Sequence, residues 1–340
     1  MHAIPLVVTT RGYPDSALIT ENVHLGSVAV VDARGTLLWS AGDPAQLTFT
    51  RSALKPFQAL PFLLDDGPAR FGLCSADLAL LCASHSGEDQ HVRGVTAILE
   101  RIGMDECDLE CGCHAPLYFE AMHLPLPVQP HWRPLQHNCS GKHSGFLAWC
   151  RLHDLPSAGY VDPAHPLQQA IRQRLTDTTG VPAGRMAAGI DGCSAPNYAL
   201  PLACLAQLYA RLAQGDADPE LGAAMGDLLR AMSAHPELVS GHGRTDLAYM
   251  LAGAGDWVTK AGADAVQAIG VRSAGLGIAI KVADGAARAL PVATVSVLDQ
   301  LGLLDPARRA RLAAYRQPPV TNARGIMTGD IRPVFTLRRA

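Results

Sequence analysis

Arg51-Ser52-Ala53-Leu54-Lys55-Pro56-Phe57-Gln58 is the stretch on which the reading of this 340-residue chain turns. A serine followed three residues later by a lysine matters if a helix starts here, because positions i and i+3 share a helix face and touch. The start signals are present: Ser52 is a favoured N-cap type, Pro56 is tolerated only in a first turn, and apolar Phe57, Leu60, Phe62 and Leu63 follow. Lys55 is then expected in the first turn. There the partial positive charge of the helix N-terminus penalises an ammonium and favours the free amine. A neutral lysine beside a serine hydroxyl is a general base beside a nucleophile. The bland alternative is a capping serine followed by a surface lysine, so other stretches must decide.

Working outward, the segments on either side of this helix differ in period. Before it, Leu6-Val7-Val8-Thr9-Thr10 is rich in β-branched residues, and Gly26–Val31 leads through Asp32-Ala33-Arg34-Gly35 into Thr36–Trp39, a hairpin with a glycine-bearing turn. After it, helical patterns are expected at 75–82, 88–102, 165–178, 198–213, 218–234 and 244–252, with another opened by Asn138–Gly145. Residues 103–136, carrying Pro116, Pro125, Pro127, Pro130 and Pro134, read as a long irregular connection. Strand character returns at 257–260, 265–269 and 276–282 as an antiparallel meander, then a helix near 286–302 and a polar tail with a last strand at Val334–Leu337. The expected class is therefore α/β of the α+β kind. One antiparallel sheet draws on both chain ends (about 1–50 and 255–340), a mostly helical part (about 51–254) is inserted between, and all 340 residues form a single domain.

Composition narrows the function. Hydrophobic residues make up 48% and charged residues 17%, with a net charge of -3. That leaves no basic field for nucleic acid and no polybasic patch for a membrane surface. No apolar run is long enough to span a bilayer, and Met1–Pro5 lacks the charged and apolar regions of a secretory signal. Nine cysteines without framework spacing then read as reduced thiols in a cytoplasm.

Four clusters could carry chemistry. The Ser52/Lys55 spacing is similar to the S-x-x-K of β-lactamases and penicillin-binding proteins. Ser84-His85-Ser86-Gly87-Glu88 offers hydroxyls and an imidazole at the start of a helix, where a plain N-cap is the competing reading. Lys260-Ala261-Gly262 resembles the K-T-G element of penicillin-recognising enzymes with the threonine lost; its glycine would let a ligand approach the backbone. Cys139, Lys142 and His143 with Asp191 and Cys193 have zinc-ligand chemistry without a C-x-x-C pair, and a Cys139 nucleophile with a His143 base is also open. The tighter group Cys107, Cys111, Cys113 and His114 lacks a second pair and reads as incidental.

Taken together, Arg51-Ser52…Lys55-Pro56, Ser84–Glu88, His137-Asn138-Cys139-Ser140-Gly141-Lys142-His143, Asp191-Gly192-Cys193 and Lys260-Ala261-Gly262 resemble, in order, the motifs of the rhizobial-type, serine-dependent L-asparaginase family. The resemblance covers about residues 5 to 335; Cys111–Pro116 departs from it, lacking an aromatic-proline pair. It implies a fold similar to serine β-lactamases and glutaminases, hydrolysis of L-asparagine to L-aspartate and ammonia, and a homodimer. By motif, Ser52 would be the nucleophile with Lys55 its base, and Ser84 with Lys260 a second serine-lysine tandem. Arg51, His143 and Asp191 would bind substrate or orient ligands. Cys139, Lys142 and Cys193 would hold a zinc ion that is structural or positions substrate, with Lys142 bound as free amine. The competing expectations are a glutaminase, a penicillin-recognising hydrolase, or a non-catalytic amino-acid-binding protein on the same scaffold.

Overall fold

The computed structural model describes residues 2–13, 16–128 and 131–340. Met1 and Pro130, used in the reading above, lie outside the described residues. The strands in chain order are β1 (Ile4–Arg11), β2 (Ile19–Asp32), β3 (Leu37–Ala41), β4 (Leu47–Phe49), β5 (Ala188–Ile190), β6 (Pro196–Pro201), β7 (Trp257–Gly262), β8 (Val266–Val271), β9 (Leu276–Val282), β10 (Pro319–Thr321), β11 (Met327–Pro333) and β12 (Arg338–Arg339).

The main sheet runs β10-β11-β1-β2-β9-β8-β7, with β3 paired to both β2 and β12. Every one of these pairings is antiparallel. N- and C-terminal segments thus share one sheet, as the class expectation required. Its central strands read as near-continuous apolar runs because both faces are covered. Along β2, Ala29 and Val31 join the core of the helical part, whereas Val28 and Val30 join a second core beneath the Ala289–Gln300 helix. Alternating residues therefore serve opposite layers.

Between β3 and β7 the chain is mainly helical. The Ser75–Leu81, Asp89–Arg101, Ser140–Leu152, Pro166–Thr179, Leu202–Gln214, Gly222–Ala234 and Thr245–Gly253 helices answer the expected patterns. Three expectations need correction. Residues 198–201 are strand: β6 pairs with β4 and β5 in a small separate sheet, and the helix begins only after Pro201, which lacks the N–H a strand or helix interior needs. Residues 334–337 are not a strand; the C-terminal strand beside β1 is β11, and the chain end pairs with β3 only at Arg338–Arg339. The segment after the 289–300 helix is not merely a polar tail, since Pro306–Arg311 and Ala313–Arg316 are short helices. No helix among the described residues is long and apolar enough to cross a membrane.

Candidate active site

The opening stretch leaves β4 and turns sharply. Thr50 is tied to Tyr198 of β6 by its N–H at 3.0 Å and its hydroxyl at 2.9 Å. Arg51 then adopts a left-handed backbone (φ 50°), strained for a residue with a Cβ, and its N–H donates to Asn197 Oδ1 at 3.0 Å. Arg51–Leu54 forms a 3-10 turn that runs into the Lys55–Gln58 helix. The expected Ser52 N-cap is not there. Thr50 holds the cap position without a side-chain bond, and the half-buried Ser52 hydroxyl makes no hydrogen bond within the described residues.

Lys55 is buried at 1% exposure and does not bond Ser52. Its Nζ donates to the Ala83 carbonyl at 2.5 Å and lies 2.8 Å from Ser84 Oγ. A buried ammonium must place its donors, and the Ala83-Ser84 segment supplies the partners. That segment is itself fixed, the Ser84 N–H donating to Val239 O (3.0 Å) and the His85 N–H to Asn138 O (3.1 Å). Lys260, fully buried on β7, donates to its neighbour's Ala261 carbonyl at 2.7 Å and stands 3.7 Å from Asp246 Oδ2. Among the described residues it makes no hydrogen bond to Ser84, so the pair joined here is Lys55 with Ser84. Gly262 does not open the strand to a ligand. A Cβ there would meet Thr50 O at 2.7 Å, so the glycine admits the Thr50–Ala53 turn against the end of β7.

Burial controls both lysines. It lowers the pKa of Lys55 against the opposing pull of Cys139, and it brings Lys260 down to about 7 although Asp246 opposes it. The lowered pKa expected for Lys55 from a helix N-terminus is therefore present, with burial as its largest cause. Asp246 is held by Thr259 Oγ1 (2.9 Å), the Ala261 N–H (2.7 Å) and Gln267 Nε2 (3.0 Å).

The second wall of the site is sulfur and nitrogen. Lys142 Nζ lies 3.0 Å from Cys193 Sγ, and Cys193 faces Cys139; all three side chains are buried. Hydrogen bonding from Cys193, with Lys55 and Lys142 nearby, drives the Cys139 thiol well below its ordinary pKa despite burial. Burial also acts on Lys142, but the two sulfurs outweigh it and raise its pKa. Gly141 permits this arrangement, because a Cβ there would lie 2.3 Å from Leu80 O and push the Ser140–Leu152 helix off its neighbour. His143 is held by Tyr160 OH at 2.7 Å through Nδ1, while its buried Nε2 has no hydrogen-bond partner among the described residues, and burial lowers it to about 4.

Arg51 and Asp191 meet each other. Arg51 Nε donates to Asp191 Oδ1 at 2.8 Å, and a second guanidinium nitrogen pairs with Asp264. Burial opposes ionisation of Asp191, yet Lys142, the Gly192 N–H and Arg51 together lower its pKa. All ten residues singled out from sequence therefore fall in one continuous region linked by Lys55, Cys139, Lys142 and Asp191.

A sequence profile of the L-asparaginase II family matches residues 10–333. The chain belongs to the L-asparaginase II family. No curated protein matches it. The matched span contains every candidate site residue from Arg51 to Lys260, and membership supports an L-asparaginase-type amidohydrolase in general.

Within this L-asparaginase II chain the thiol wall has the donor chemistry of a zinc site: two sulfurs, a lysine amine and an unpartnered imidazole nitrogen close by. Among the described residues no three His, Cys, Asp or Glu side chains gather as ligands, so a lysine would be needed to complete a set. The 107–114 group does not assemble, since Cys107 and Cys113 are exposed and His114 bonds Ala115 O and Asn138. Sequence reading missed Asp246, Arg244, Tyr160 and Asn197. Only Arg244, at the end of the glycine-flanked run Gly241-His242-Gly243-Arg244, left a sequence signal.

Proposed function

We propose that the protein hydrolyses L-asparagine to L-aspartate and ammonia through a serine acyl-enzyme. The observation that carries this is the buried Lys55 amine 2.8 Å from the Ser84 hydroxyl. Burial favours the neutral amine, which takes the hydroxyl proton as the serine oxygen bonds to the side-chain amide carbon. The C–N bond then breaks, a lysine returns a proton to the departing ammonia, and water releases aspartate from the ester. Lys260, at about 7, holds its proton in a range where it gives and takes it readily.

A second assignment exchanges the serines. Ser84 is only 3% exposed, whereas Ser52 is half-buried and its hydroxyl is unengaged within the described residues, which favours Ser52 as the acyl acceptor with Ser84 relaying its proton to Lys55. Zinc bound by Cys139, Cys193 and Lys142 would supply a fixed positive charge that braces the site or positions a polar substrate group. A homodimer working in a cytoplasm completes the proposal, and sedimentation of purified protein checks the stoichiometry.

Ammonia release from L-asparagine tests the reading. Turnover of asparagine that is lost in Ser84→Ala supports it. Faster release from glutamine makes the enzyme a glutaminase, turnover of a chromogenic β-lactam makes it penicillin-recognising, and binding of asparagine without ammonia makes it a binding protein.

A further inference from the structure

Two arginines border the site, and their surroundings are opposite. The Arg51 guanidinium is neutralised twice, by Asp191 and Asp264. Arg244 donates one N–H to the Ser84 carbonyl at 2.7 Å and forms no ion pair with any described residue. The acids nearest to it are Asp246, which is spent on Thr259, Ala261, Gln267 and Lys260, and Glu120, which acts only at a distance.

Its position is built. Gly241 (φ 142°) and Gly243 (φ 76°) lay residues 240–244 on the serine-bearing segment, so closely that a Cβ at Gly241 would fall 2.3 Å from Ser86 Oγ and 2.6 Å from Glu88 Oε1. His242 fastens the loop, its N–H and Nδ1 reaching the Glu88 carboxylate at 3.0 and 2.7 Å. The guanidinium is thereby held against the residue whose hydroxyl faces Lys55, and the residue is half-buried. Packing around it lowers its pKa, the mark of a cation stripped of water without a counter-ion. One donor of five is engaged on the protein, leaving a planar fork suited to a carboxylate.

We infer that Arg244 binds the α-carboxylate of the amino-acid substrate, fixing which end of the molecule lies beside Ser84. This rests on the asparaginase reading. In asparagine the carboxylate carbon and the amide carbon are separated by three C–C bonds of about 1.5 Å each. A guanidinium bonded to the Ser84 main chain and a hydroxyl on the same residue span such a molecule from both ends. Arg51, with both carboxylates in place, instead orders the turn that carries Ser52.

The test compares L-asparagine with 3-aminopropanamide, the same amide without its α-carboxylate, on wild type, Arg244→Lys and Arg244→Met. Expected is a fall of about 10- to 100-fold in the preference for asparagine in Arg244→Met, expressed mainly in KM, with partial recovery in Arg244→Lys. An equal loss on both amides, or an unchanged preference, overturns the assignment. Wild type that releases no ammonia from asparagine refutes the asparaginase reading by itself. Calorimetric titration of L-asparagine into wild type and Arg244→Met then decides the arginine: binding weakened at least tenfold supports it, and equal binding or no binding to wild type overturns it.

Discussion

Lys55 Nζ lies 2.8 Å from the hydroxyl of Ser84, a residue 29 positions further along the chain, and not against Ser52 three positions before it. Local spacing suggested one serine-lysine pair; packing of the Lys55–Gln58 helix against the Ala83-Ser84 segment made another. The buried amine also donates to the Ala83 carbonyl, and the Ser84 hydroxyl is the hydroxyl it bonds.

That geometry sets the first prediction. Rapid quench with asparagine followed by intact-mass measurement should show an acyl adduct in Ser52→Ala and none in Ser84→Ala, with kcat of Ser84→Ala down by at least about 10³-fold. An adduct that persists in Ser84→Ala and vanishes in Ser52→Ala moves the nucleophile to Ser52.

Lys260 sets the pH dependence. Burial lowers it from 10.5 to about 7, so its free amine becomes the dominant form as pH rises through about 7, and kcat/KM should rise over that range. The charges facing it are Asp246 from the Thr245–Gly253 helix, Lys55, Arg244 and Cys139; Asp246 is the largest influence opposing burial. Asp246→Asn removes the carboxylate that favours the ammonium, and the rising limb should shift to lower pH. A limb that stays in place separates Lys260 from the titration.

The same burial makes Lys260 a cost to stability. In the folded protein it loses its proton near 7, but in the unfolded chain only near 10.5, so the unfolded state holds more protons between those values. Stability therefore rises with pH across that window, and the penalty is complete below about 7. Lys260→Met should melt a few degrees above wild type at pH 6, because Asp246 keeps three other donors, and the advantage should shrink by pH 10. Differential scanning at the two pH values measures it; a variant less stable at pH 6 refutes the argument.

Much of the fold was legible because it follows from period. The alternation and apolar runs of β1, β2, β3 and β7–β9 mark strands wherever they pair, and the long helices carry their own pattern. The small β4-β6-β5 sheet was not legible, since its strands are three to six residues long and gain their pattern from neighbours distant in sequence. The site residues were found as motifs, but their partners were not. Ser52 was assigned a cap that Thr50 occupies, and Arg244, marked in sequence only by its flanking glycines, bonds Ser84 O and forms no ion pair among the described residues, a pattern set by packing and not by spacing.

Metal content follows from the sulfur wall. Purified wild type should carry zinc near one equivalent per chain by elemental analysis, and Cys193→Ala should lose it. Removal by a chelator should raise KM for asparagine roughly tenfold or more with a smaller change in kcat, as expected for a group that positions substrate. Unchanged KM and kcat after complete removal would make the metal structural or absent from function.

Gly262 gives a test of how the sheet aims the chemistry. It closes β7 two residues after Lys260, and an added Cβ would stand 2.7 Å from Thr50 O and 3.0 Å from Arg51 Cβ, both in the turn that presents Ser52 and starts the Lys55 helix. Neither atom is the loose end of a side chain, so relief requires the turn itself to move. Thr50 is tied to Tyr198, and Arg51 to Asn197, Asp191 and Asp264, so the turn resists and the displacement is shared with Lys260 on β7. Gly262→Ala should therefore cost about 1 to 3 kcal/mol of stability, measurable by denaturant unfolding. It should also lower kcat by far more than the small fraction of protein left unfolded explains, since a misplacement on the order of 1 Å costs about 10²-fold. Full activity in a folded Gly262→Ala protein would show that the Thr50–Ala53 turn and β7 are positioned independently, and that the two lysines do not depend on one shared contact.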